Sequence, residues 1–107
     1  SGARVVNSLV VSGCEIDGSV ENSILSHDVK IAKGAVVKNS IIYACAEIGE
    51  GAVVEHAIID ENVKIGKNAA VGEGQKDESL SVAVLGRDIT VSDNAVVGAG
   101  QIVDENV

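Results

Sequence analysis

The sequence predicts an all-β chain wound as a single parallel β-helix of about six coils, and three observations predict it. The first is a repeat. Residues 31–47 read IAKGAVVKNSIIYACAE, residues 48–64 read IGEGAVVEHAIIDENVK, and residues 65–72 restart with IGKNAAVG, a period of 17. Self-similarity at a fixed period marks stacked units that bury one continuous core. The second is spacing: aliphatic residues inside each unit recur at steps of six, five and six. That is neither the 3.6-residue period of a helix nor the alternation of a long strand. It is a hexapeptide rhythm, a short strand and then a corner, three times per turn. The third is composition. Of the 107 residues 46% are apolar, yet there is one Tyr and no Phe, Trp, Met or Pro, with 12 Gly. Aromatic rings supply much of the buried area of ordinary cores. Here the interior must be Val, Ile, Leu and Ala in a narrow prism.

Each element follows from that series. Face one takes Ile16, Ile31, Ile48, Ile65 and Val91 as its inward residues. Face two takes Val5, Val20, Val37, Val54, Val71 and Val97, and face three takes Val10, Leu25, Ile42, Ile59, Leu85 and Val103. Small or β-branched residues four places later, Cys14, Val29, Ala35, Ala46, Ala52, Val63, Ala69 and Ala95, fill the corners. Gly34 and Gly51 serve corners too, as do Gly49, Gly66 and Gly86, where positive φ or close backbone approach suits glycine. The signature implies a left-handed coil, against the usual hand of parallel crossovers. Coils are expected to stack about 4.8 Å apart. Two irregularities stand out. The step from Ile16 to Val20 is four, giving one short coil, and Val71 to Leu85 takes fourteen residues, so Glu73 to Ser81 form an inserted polar loop. The whole of 1–107 is one β-helix domain.

Charge narrows the partners. Eight Lys and Arg against 16 Asp and Glu leave a net charge of −8. With no basic run and no stacking aromatics, nucleic acid is a poor partner. No apolar run approaches the roughly 18 to 20 residues of a membrane span, and no Lys/Arg-led apolar leader marks export. The two cysteines lack metal-motif spacing, and at about two coils apart they are out of disulfide reach. A cytoplasmic setting is expected.

Few residues suggest chemistry. His27 follows Leu25 on face three and His56 follows Val54 on face two, so they point from different faces and share no metal; no metal site is expected. His56 stands in register after Asn7, Asn22 and Asn39, where stacked amides hydrogen-bond along the axis. The outward column His27, Ala44, Glu61, Arg87, Glu105 puts Arg87 over Glu61. An exposed salt pair of little weight accounts for this; a guanidinium fork for an anion is the functional reading. Gly72-Glu73-Gly74 and Gly98-Ala99-Gly100 lack the strand-to-helix context of a phosphate loop and read as corners.

The stretch NSLVVSGCEIDGSVENSILSHDVKI, from Asn7 to Ile31, with its short coil, and the later AIIDENVKIG and VLGRDITV, resemble the carboxy-terminal β-helix domain of the bacterial glucose-1-phosphate adenylyltransferases. The resemblance implies a noncatalytic module for regulation and oligomerisation, part of an enzyme that makes ADP-glucose from ATP and glucose 1-phosphate for glycogen synthesis. Catalysis, with Mg2+ and ATP, would belong to an amino-terminal nucleotidyltransferase domain outside this chain, and the chain alone is expected to be inactive and to need no cofactor. Partners would be that domain and neighbouring subunits, identical or paralogous. An anionic effector would sit near Asp60, which matches the family turn, and Arg87, the nearest match to a basic residue after the loop. Glu61 stands where the family carries a second basic residue, reversing the sign of half the cradle. The alternative is a hexapeptide acyltransferase with His56 as general base and the Glu73–Ser81 loop over acyl-CoA.

Overall fold

The computed structural model describes residues 3–73 and 81–107. Among them seventeen strands of two to four residues form three parallel sheets of six, six and five strands, with no helix. The parallel β-helix expected from the hexapeptide spacing is the fold. Face two is Arg4–Val6, Ser19–Glu21, Val36–Lys38, Val53–Glu55, Ala70–Glu73 and Val96–Gly98. Face three is Leu9–Val10, Ile24–Leu25, Ile41–Ile42, Ala57–Ile59, Ala83–Leu85 and Ile102–Val103. Face one is Glu15–Ile16, Lys30–Ile31, Glu47–Ile48, Lys64–Ile65 and Thr90–Val91.

The register matches the aliphatic series residue for residue. Val5, Val20, Val37, Val54, Val71 and Val97 pair in succession along face two. Val10, Leu25, Ile42, Ile59, Leu85 and Val103 do so on face three, and Ile16, Ile31, Ile48, Ile65 and Val91 on face one. Like stacks on like, so each layer of the core repeats the one below it and interdigitates without large rings. The corner residues Val29, Ala35, Ala46, Ala52, Val63 and Ala69 are buried with them, while Cys14 and Ala95 are only partly covered.

The corners turn through left-handed backbone. From face two to face three it falls on Asn7, Asn22, Asn39 and His56; from face three to face one on Gly13, Asp28, Cys45, Asn62 and Asp88; from face one to face two on Gly34, Gly51, Asn68 and Asn94. Gly, Asn and Asp adopt it readily, which is why these residues recur at fixed spacing. The short coil has a different device. It drops two residues at Asp17-Gly18, and a Cβ on Gly18 would run into the carbonyl oxygens of Ala32 and Ala35 in the next coil. At Gly86, by contrast, an added Cβ would meet nothing closer than 3.6 Å, so that corner has no steric need of glycine.

The two ends differ. Val5 and Val10 have the inward register but are 46% and 36% exposed, because no coil among the described residues lies beneath them. At the other end Val97 is fully buried and Val103 is 5% exposed. There the tail returns to face one, with Ser92 N donating to Val107 O at 2.7 Å and Thr90 N to Asn106 Oδ1 at 2.8 Å. The insertion opens with a register shift between Val71 and Glu73; apart from its ends, the expected Glu73–Ser81 loop lies outside the described residues.

Candidate functional site

Outward residues give the three faces unlike characters. On face one, Glu15, Lys30, Glu47, Lys64 and Thr90 pair in register, a column of alternating charge. Lys64 Nζ meets Glu47 Oε2 at 3.1 Å, with both side chains about half exposed, so solvent screens most of that attraction. Face three is the opposite. Its outward column is Leu9, Ile24, Ile41, Ile58, Val84 and Ile102, aliphatic in every coil. Leu9 is 61% exposed and Ile102 77%. A sheet face meeting water ordinarily alternates apolar-in with polar-out, and a contiguous apolar patch marks a contact surface. The sequence carries the signal as the doublets LV, IL, II, II, VL and IV, one per coil, yet tracking only the inward series passes over it.

Beside this stripe lies the corner of His56. Asn7 Nδ2 donates to Asn22 Oδ1 at 2.7 Å, the one rung of the expected amide ladder among the described residues; no side-chain bond joins Asn22 to Asn39. A second ladder, missed in the sequence, runs next to it. Ser8, Ser23 and Ser40 each donate through Oγ to the carbonyl two residues back, of Val6, Glu21 and Lys38. Each also accepts the backbone N–H of the next coil, from Ser23, Ser40 and Ala57. The recurring Asn-Ser dipeptide is its signature, and it ends where His56-Ala57 replaces Asn-Ser. His56 is half-buried at φ 47, bordering a shallow groove with Asn22, Ile24, Asn39, Ser40, Ile41 and Val82. Its place closes a structural ladder; no acid among the described residues orients it by a hydrogen bond.

The proposed anion residues lie in neighbouring coils. Ile59 pairs with Leu85, so Arg87 stacks over Glu61, as the column predicts. Both are exposed, and no ion pair joins them among the described residues. Asp60 is half-buried, and its Oδ1 accepts the Glu61 N–H at 2.7 Å, fixing the turn. Gly74 of the first glycine pair lies outside the described residues, and the second pair makes no nucleotide cradle. Gly72 lies within the Ala70–Glu73 strand, where the register shifts, at φ 85 against the Glu55 carbonyl, and the Gly98 N–H is taken by Gln101 Oε1 at 3.0 Å. Cys14 donates to Ser26 O at 3.0 Å, and both cysteines are free thiols.

Residues 1–91 match the family model described as GlmU-like, C-terminal hexapeptide. This chain belongs to that family. Within the hexapeptide family it is 52% identical, over 118 aligned residues covering 97% of the chain, to a glucose-1-phosphate adenylyltransferase of Thermosipho africanus. A glycogen biosynthesis protein GlgD of Geobacillus stearothermophilus is 56% identical over 34 residues, 32% of the chain and 10% of that protein. The chain spans 29% of the length of the Thermosipho relative. Among solved structures, WeeI from Acinetobacter baumannii superposes with a TM-score of 0.50 and 19% identity, covering 94% of this chain and 50% of that one. That likeness carries the fold alone. No helix among the described residues is long and apolar enough to cross a membrane.

Proposed function

We propose that this hexapeptide prism is the regulatory and oligomerisation module of a glucose-1-phosphate adenylyltransferase, working in the cytoplasm and noncatalytic in itself. The observation that carries this reading is the 52% identity over 97% of the chain. The module acts as a rigid wall: inward residues of the middle coils are braced by aliphatic neighbours above and below, so force on one face passes to the others without local yielding. Its apolar face three, with the uncovered Val5 and Val10 at the first coil, packs against the catalytic domain and neighbouring subunits. Mg2+ and ATP belong to that catalytic domain. A phosphorylated effector is held at the junction, where Arg87 supplies the guanidinium and Asp60 holds the turn; Glu61 beside Arg87 weakens the site relative to one with two cations.

The test compares the 107-residue chain with a longer protein that includes the adenylyltransferase domain. ADP-glucose formation by the longer protein only, with a response to phosphorylated effectors that Arg87→Ala removes, is the expected result. Ile24→Asp with Ile41→Asp is expected to lower its mass in sedimentation while leaving circular dichroism unchanged. Acetyl-CoA binding by the short chain, abolished in His56→Ala, would replace this reading with the acyltransferase.

A further inference from the structure

At the corner between faces three and one, three side chains with metal-ligating atoms converge. His27, Asp28 and Cys45 each offer one such atom, and the three atoms lie within 4.8 Å of one another. The coil pitch creates the cluster: Asp28 and Cys45 are one 17-residue period apart and occupy the same corner column. The corner is built from the backbone outward. Asp28 N donates to Ser12 O and Cys45 N to His27 O, each at 3.2 Å, which anchors both turns. His27 Nδ1 lies 2.9 Å from Asp28 Oδ2. Gly13, below Asp28 in the column, has no side chain, and a Cβ there would collide with Asp28 Oδ1.

The identity of residue 45 is the second observation. The column holds left-handed backbone at Gly13, Asp28, Cys45, Asn62 and Asp88, with φ between 59° and 84°. Gly, Asn and Asp enter that region routinely and other L residues do not. Cys45 is the exception in the column, and it is exposed, so no core packing accounts for a thiol there. A residue held in an uncommon conformation on the surface points to use of its side chain.

We propose that His27, Asp28 and Cys45 form a surface site for one divalent cation of the zinc class, with water completing a tetrahedral shell. Mixed sulfur, nitrogen and oxygen donors favour Zn2+ or Co2+ over Mg2+ and Ca2+. Bonds of about 2.0 to 2.3 Å set ligand separations of roughly 3.3 to 3.7 Å. The widest gap therefore closes by about 1 Å, within rotamer reach of exposed side chains. Cys45 binds as the thiolate and releases its proton to solvent; no electron is transferred. The net charge of −8 favours cation capture.

Cobalt(II) chloride titrated into the reduced 107-residue chain tests the assignment. The expected result is a saturable thiolate-to-cobalt charge-transfer absorption at one equivalent, removed by Zn2+ but not by Mg2+. Cys45→Ser abolishes the band, Cys14→Ser keeps it, and His27→Ala or Asp28→Ala weakens cobalt affinity by about tenfold or more. Far-ultraviolet circular dichroism verifies that each variant keeps the fold. No band in the parent chain, a band surviving Cys45→Ser, or unchanged affinity in both His27→Ala and Asp28→Ala would overturn the site.

Discussion

Val54 and Val5 occupy the same inward column of face two, yet Val54 is fully buried and Val5 is 46% exposed. Replacing each by Ala removes the same two methyl groups. At Val54 the transfer loss is about 1.6 kcal/mol, at about 0.8 kcal/mol per methyl-sized group. Val37 and Val71 stack on either side, so the walls cannot collapse. A void of roughly 50 Å³ at about 24 cal/mol per Å³ adds about 1.2 kcal/mol. Val54→Ala should therefore cost about 2 to 3 kcal/mol. At Val5 about half the transfer loss applies and no closed void forms, leaving less than about 1 kcal/mol. Urea unfolding of the 107-residue chain, followed by circular dichroism, measures both. A domain of this length holds on the order of 5 to 15 kcal/mol, so each variant stays folded in water. A lower m-value for Val54→Ala would show one stack of coils melting before the other. Equal losses at the two positions would refute the reasoning, since they would mean that the first coil is as well covered as the fourth.

Other outcomes follow from the same geometry. Ile48→Asp puts an unpaired carboxylate between Ile31 and Ile65 and should abolish the fold; an unchanged thermal melt would overturn the register. Ser40→Ala leaves the Ala57 N–H and the Lys38 carbonyl without their hydroxyl partner, an expected loss of about 1 to 3 kcal/mol. Faster hydrogen exchange at the Ala57 amide locates it. Gly72→Ala forces a Cβ against the Glu55 carbonyl at φ 85 and should cost about 1 to 3 kcal/mol or more. Gly86→Ala should stay within about 0.5 kcal/mol of the parent; urea midpoints that fail to separate the two glycines would contradict the corner geometry.

The core was legible because a prism permits little else. An inward residue every five or six positions is fixed by the length of a flat face plus a corner, so Leu25, Ile42 and Ile59 could be assigned from spacing alone. Features that depend on neighbouring coils were harder to see. The serine ladder and the His27, Asp28 and Cys45 corner join residues 15 to 18 apart across coils, and they lie in outward columns rather than in the inward series. The ligating atoms beside His27 come from Asp28 and Cys45, not from the other histidine. The expected Arg87 and Glu61 stack formed without an ion pair because two exposed side chains gain little by holding one geometry. Exposure of Val5 and Val10 depends on what covers the first coil, a matter of assembly that no repeat encodes.

The unequal ends have a consequence for polymerisation. A solenoid with bare core at both ends invites stacking of one molecule on the next, a heterologous contact that never closes and grows into a fibre. Among the described residues the inward positions Val5 and Val10 are the exposed ones, while Val103 is only 5% exposed. Contact through the uncovered coil can thus join two such ends about a twofold axis, or one end to a different domain, and then stop. At the opposite end the bonds of Asn106 and Val107 to Thr90 and Ser92 occupy the edge of the last face-one strand, so that edge has no free donors there for a second molecule.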